Sequence, residues 1–380
     1  MVDLVLGNYK IIAHWKDRKN ESSFSGTLFK GKGEKGVSNP DKYVLALKGT
    51  LETKDLSTDG GDIVLDGLAH HQIVDLYNFW QQITHKGEYK VAQIISGEEL
   101  ENLKKEEEKS GIYTKEGYFK DTVAKGENID PAQFNGTLNT LTKLIGINPA
   151  ADAIASILSS FETIEKRIVF KNSHEVYAPD DERYDGLGIN PGKVTVTGHS
   201  LGGHLAAAFS RLFPEVTEHA YMINGAGFGQ RLPGVAENIK EIFKVLGGQE
   251  EFDKDKITNF IGDKNMDFVT QDWFIGLRQP GAKLRLFIES GVSDKLGHGV
   301  GQMDNAMSVM ALFANLDNKL DDGYHNNFVE YLNKVFEEAA ATGRGGVERI
   351  VNQLAVQLLG KDPKIQKGDR EAIFRTVSEL

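Results

Sequence analysis

Residues 193–213 read KVTVTGHSLGGHLAAAFSRLF. An alternating β-branched run, Lys193–Thr197, is followed by an Ala/Leu-rich run with helical spacing, Gly203–Phe213. Only Gly198-His199-Ser200-Leu201-Gly202 separates them, so the chain must pass from strand to helix within that pentapeptide. A serine at such a junction takes a strained backbone conformation that holds its hydroxyl clear of the sheet. Side chains two positions to either side would collide there, which is why the pattern G-x-S-x-G carries glycines. The bare pattern is common; a strand before it and a helix after it make it specific. Ala206, Ala207 and Ala208 allow the helix to lie close to the sheet, and its N-terminus sets a positive dipole end beneath Ser200. The stretch predicts an exposed, nucleophilic serine.

The rest of the chain repeats the alternation. Further β-like runs are SGTLF, KYVLALKGT, HAYMIN, KITNFIG and KLRLFIE. Helical patterns occur at 202–213, at 234–246 and in IVLDGLAHHQIVDLYNFWQQI, where Ile63, Leu68, Ile73, Leu76 and Phe79 form an apolar face. Strands alternating with helices predict an α/β fold with a mostly parallel central sheet flanked by helices. The length of 380 residues suits one large domain or two smaller ones. After Gly323 the pattern is helical only, with a break at TGRGG. The expected division is a main domain over 1–325 and a helical C-terminal extension over 326–380.

Residues 100–165 read as an insert with helical character. LKKEEEKS has the composition of a solvated face. Residues 132–161 differ, with Lys143 and Asp152 as the charges present. Two helical patterns meet there at Asn148-Pro149, and Leu141, Leu144 and Ile145 mark the first. They are candidates for a lid over an apolar site; the plainer alternative is that these helices pack on the sheet.

Several function classes are disfavoured. The absence of cysteine excludes disulfides, thiolate metal sites and a cysteine nucleophile. A net charge of −11 argues against general nucleic-acid binding and against adsorption to anionic membranes by charge alone. There is no run of 18 apolar residues, so no transmembrane helix is expected. The N-terminal residues lack the pattern of a classical signal peptide; the expected location is either cytoplasmic or secreted by another route. DGLGINPG precedes a strand and reads as a turn rather than a dinucleotide fingerprint. No zinc motif stands out and no cofactor is required. The Asp/Asn-rich loops are compatible with structural calcium, although no EF-hand pattern occurs.

A serine hydroxyl needs a base, and the base needs an orienting acid, in the chain order Ser, Asp/Glu, His for this kind of fold. The histidines after Ser200 are His204, His219, His298 and His325. His204 falls on the nucleophile helix and His219 ahead of a strand, so both read as structural. His298 lies in SGVSDKLGHGVGQMDNAM, a loop just beyond KLRLFIES, where the base belongs; His325 is the runner-up. Asp263, Asp267 and Asp272 are the candidate acids after KITNFIG. Leu201, following the nucleophile, should supply one oxyanion N–H, and the loop Gly49-Thr50 after an early strand suits the other.

Taken together, VLALKGT, VTVTGHSLGGHLAA, YMINGAGF and ITNFIGDKNMDFV resemble, in that order, motifs of the class 3 lipase family of α/β-hydrolases, which includes bacterial phospholipases A1 and lipases with calcium-binding repeats. The resemblance spans roughly residues 40–310 as ordered motifs. It implies Ser200 as nucleophile, Asp267 as acid, His298 as base, and Thr50 with Leu201 as oxyanion donors. Lys48 stands where the family usually has arginine, and Phe268 where it usually has proline. The resemblance implies cleavage of long-chain acyl esters, in glycerides or phospholipids at an interface. The residues by themselves indicate a serine hydrolase, with another esterase, a peptidase or an acyltransferase on the same fold as alternatives, and a non-catalytic interaction module as the alternative from another class.

Overall fold

The computed structural model describes residues 7–16, 22–33, 42–49, 67–112, 114–124, 161–229, 235–262, 277–286, 288, 300–316, 346–366 and 369–380. Among the described residues, alternating β-branched and apolar segments form a seven-stranded sheet. Its first three strands are β1 (Tyr9–Trp15), β2 (Gly26–Gly31) and β3 (Tyr43–Leu47), joined antiparallel. Next come β9 (Val194–His199), β10 (Thr217–Ile223), β11 (Ile257–Gly262) and β12 (Ala282–Leu286), all parallel to β3 and to one another. β9, the strand leading to Ser200, is the middle strand of this order. Val194 and Val196 are fully buried, as expected of a strand covered on both faces. β1, which is not among the β-like runs read from the sequence, is the outermost strand of this order among the described residues.

Of the helical face predicted from residue 63, the part over His70–Thr84 forms α1; residues 67–69 lie outside the helix, and Ile63 lies outside the described residues. It buries Ile73, Leu76, Phe79, Trp80 and Ile83. α2 (Gly97–Ser110) buries only Leu100 outright, and most of its charges face solvent; Glu107 is the exception, drawn inward to Arg167. α3 (Leu201–Leu212), the helix after the serine, is buried on every side. Its alanines bring its backbone against β9 and β10, while Phe209 meets the edge of Trp80 from α1 at 4.8 Å. α4 is Val235–Val245.

The flanks of the insert correct the expectation of helices. β5 (Lys90–Ser96), β6 (Tyr118–Ala124) and β7 (Phe161–Asn172) form a separate antiparallel three-stranded sheet, in the order β5-β7-β6. The strand pattern was hidden because β7 buries two charged residues, Lys166 and Arg167, which pair with Asp121 and Glu107. Two-residue strands β4 (Lys86–Gly87) and β8 (Gly186–Leu187) pair beside α1.

A second core lies at the β12 edge. Leu286 and Ile288 meet Met303 and Met310 of α5 (Val300–Leu316), Val351 of α6 (Val347–Leu359) and Ile373 of α7 (Arg370–Glu379). α6 and α7 match the helical pattern expected of the C-terminal residues, and the last glycine of TGRGG, Gly346, is the N-cap of α6. Among the described residues, no helix is long and apolar enough to cross a membrane. A mostly parallel mixed sheet flanked by helices, with the serine turn after its central strand, is an α/β-hydrolase-like arrangement.

Candidate active site

Ser200 links the last residue of β9 to the first residue of α3 with φ 57° and ψ −119°. This lies in a region that side chains other than glycine rarely enter, and holding a serine there costs about 1–3 kcal/mol. The surroundings impose it. The Ser200 N–H donates to the Ile223 carbonyl at 2.9 Å, continuing the β9–β10 pairing one residue past the strand. The Ser200 carbonyl accepts from the amides of Gly203 (3.0 Å), His204 (3.2 Å) and Ala226 (3.2 Å). The serine is therefore gripped on both sides of its own α-carbon.

The flanking glycines are needed for close approach. A Cβ on Gly198 would stand 2.3 Å from the backbone of Gly202, and a Cβ on Gly202 would stand 2.3 Å from the Leu47 carbonyl oxygen. The end of β3 thus presses directly on the turn. Gly49, two residues beyond β3, leaves no more room: a Cβ there would lie 2.4 Å from the His199 carbonyl oxygen. Leu201 opens α3, so its N–H belongs to the first turn, where a helix supplies no carbonyl acceptor. The Leu201 side chain packs among Ala69, Ala226 and Leu277.

Behind the turn, buried polar side chains fasten the ends of β10 and β11. Asn224, with φ 44°, accepts the Gly262 amide on its side-chain oxygen at 3.0 Å. The Asn259 side chain accepts from the Gly225 amide at 3.2 Å and donates to Gln279 at 2.7 Å. Asn224 and Asn259 are fully buried. The sequence marks both only through the resemblance motifs, Asn224 in YMINGAGF and Asn259 in ITNFIGDKNMDFV.

His204 is structural, as its position suggested. It is fully buried and stacks on Phe228 with ring centroids 4.0 Å apart. Nε2 accepts the Ala69 amide at 3.3 Å, so Nδ1 carries the proton and donates to the Gly227 carbonyl at 3.1 Å. Burial lowers its pKa to about 4, against the opposing pull of the Gly227 and Ala226 backbone. The neutral ring ties the segment before α1 to the turn after β10. His219 lies within β10 rather than ahead of it, and its Nε2 meets the Thr258 hydroxyl at 2.9 Å.

Of the predicted site residues, Ser200 and Leu201 sit together in the turn. Thr50, Asp267, His298, Leu141, Leu144 and Ile145 lie outside the described residues, as do Asp263, Asp272 and His325. The chain leaves β3, β9 and β11 at one edge of the sheet, because these strands are parallel. Asp263 and Asp267 follow the end of β11, and His298 falls between β12 and α5 in sequence.

No family model and no curated protein matches this chain. Among solved structures it is similar to the Lip2 lipase from Yarrowia lipolytica, with a TM-score of 0.28 and 16% identity, over 79% of this chain and 78% of that one. The nonglycosylated Yarrowia lipolytica LIP2 lipase has a TM-score of 0.28 and 15% identity, over 76% of this chain and 69% of that one. At so low a TM-score neither likeness carries weight; the α/β-hydrolase-like assignment rests on the sheet order and the serine turn.

Proposed function

We propose that the chain is a serine hydrolase of carboxylic esters in lipids, of the lipase or phospholipase A1 type. The observation that carries the hydrolase reading is the backbone of Ser200, held at φ 57° and ψ −119° between the central parallel strand and a fully buried helix. Strain of that kind is kept where it aims a reacting group. The lipid substrate is supported by the ordered motifs that resemble class 3 lipases.

In the proposed reaction the Ser200 hydroxyl attacks the acyl carbonyl carbon while His298 takes its proton. Asp267 orients the imidazole and stabilises its charged form. The N–H groups of Leu201 and Thr50 receive the oxyanion. His298 returns the proton to the departing alcohol, leaving an acyl-enzyme on Ser200. Water, deprotonated by the same histidine, then releases the fatty acid. Residues around Leu141, Leu144 and Ile145 cover the acyl-chain site in water and open at a lipid surface.

The test uses a fluorophosphonate and mixed lipids. The wild-type chain should be labelled and should release fatty acid from vesicles containing phospholipid and glyceride; Ser200→Ala should do neither. Labelling without lipid cleavage would leave a serine hydrolase of another substrate class and remove the lipid reading. Absence of labelling in a folded wild-type chain would remove the catalytic reading altogether.

A further inference from the structure

Away from the serine turn, the structure gathers a second group of reactive side chains, from α1, β6 and β7. His70 and His71 start α1, Asp121 comes from β6, and Lys166 comes from β7. One ligand atom from each of His70, His71 and Asp121 lies within 4.8 Å of the other two. His70 Nε2 and Asp121 Oδ2 stand 3.5 Å apart, about the separation of two donors bound to one tetrahedral zinc ion. The Lys166 ammonium lies among them: it pairs with Asp121 Oδ2 and meets His71 Nε2 at 3.0 Å. An ammonium only donates, so His71 directs a lone pair toward the point where Asp121 directs its charge.

We propose that His70, His71 and Asp121 form a binding site for a divalent transition metal of the zinc type, and that Lys166 is its resident competitor. Two imidazoles and one carboxylate suit such an ion, with a water completing the coordination. The charges fit one cation at a time. With Lys166 in place the carboxylate is paired; a metal ion brings a double positive charge to the same spot and must move the ammonium out.

The surroundings favour a built site over a chance cluster. His70 and Asp121 are almost wholly buried, and the His70 ring is held edge-on by Phe119 at 5.4 Å. His71 is exposed and gives an ion a way in. The three ligands come from two elements far apart in sequence, so a bound ion would clamp the three-stranded sheet to the start of α1. That clamp adjoins Ala69, whose amide is held by His204. The site is independent of whether Ser200 is catalytic.

The test titrates Co²⁺ into the full, chelator-treated chain and reads visible absorption, then displaces it with Zn²⁺ while following thermal unfolding. Wild type should bind one Co²⁺ per chain with a tetrahedral spectrum, and Zn²⁺ should raise its unfolding temperature. His71→Ala, a change at an exposed position, should lose both effects while remaining folded by circular dichroism. Lys166→Met should bind at least tenfold more tightly than wild type. Three results would overturn the proposal: no tetrahedral spectrum in wild type, the same Zn²⁺ stabilisation in folded His71→Ala, or binding confined to Lys166→Met. The last would make the lysine the permanent cation of this cluster.

Discussion

Gly202 lies so close to Leu47 that a methyl group on it would come within 2.3 Å of the Leu47 carbonyl oxygen. The obstacle is backbone in the adjoining parallel strand and cannot swing aside. Gly202→Ala should therefore destabilise the chain by about 1–3 kcal/mol and displace the turn that carries Ser200. Urea unfolding and fluorophosphonate labelling would check both effects. A variant with unchanged midpoint and labelling would mean that this approach is not needed.

The φ and ψ of Ser200 allow its strain to be read directly. Ser200→Ala and Ser200→Gly both remove the hydroxyl, and both should abolish ester hydrolysis. Only glycine also removes the Cβ that disfavours this conformation. The relief of about 1–3 kcal/mol exceeds glycine's usual entropic penalty of about 0.5–1 kcal/mol. Ser200→Gly should then be the more stable of the pair by about 1 kcal/mol in urea unfolding. The reverse order would show an unstrained turn.

For the proposed triad, His298→Ala should reduce kcat/KM about a thousandfold relative to His325→Ala, because only a general base moves the proton. Asp267→Asn should lower turnover strongly by disturbing the imidazole's tautomer, while Asp263→Asn should do little. Reversal within either pair, measured on a soluble ester, would move the role to the other residue.

His204 predicts a defined pH response. Its pKa falls from 6.5 to about 4 on burial, so the unfolded chain takes up this proton first as the medium is acidified. Its contribution to stability is complete above about pH 6.5, declines as pH falls to about 4, and levels off below; the full loss is about 3 kcal/mol. Protonation would also set an N–H of the ring against the Ala69 amide that Nε2 now accepts. The difference in unfolding free energy between wild type and His204→Gln should shrink between pH 7 and pH 4.5. A constant difference would contradict a buried neutral histidine.

Leu141 and Leu144 test the proposed cover over the acyl site. With both changed to glutamate, a lid predicts normal thermal unfolding, retained hydrolysis of a soluble short-chain ester and a selective loss on micellar or vesicle lipid. Helices packed in the core predict a loss of roughly several kcal/mol in stability from two buried charges, with both activities falling together.

The serine turn was legible in the sequence because its signals are local. Val194–Thr197 alternates, Gly203–Leu212 has helical spacing, and a pentapeptide with glycines at both ends leaves one way to join them. The same locality made the parallel strands and the C-terminal helices readable. The three-stranded sheet was not, because buried Lys166 and Arg167 look like surface charges until their partners are in place. Nor does any spacing along the chain bring His70 and His71 to Asp121. Tertiary structure also decided that β3 lies beside β9, setting Leu47 against Gly202, and that His204 is held neutral between the Ala69 amide and the Gly227 carbonyl. Hydrogen-bond partners distant in the chain settle the state of a buried polar group, and only the folded backbone chooses them.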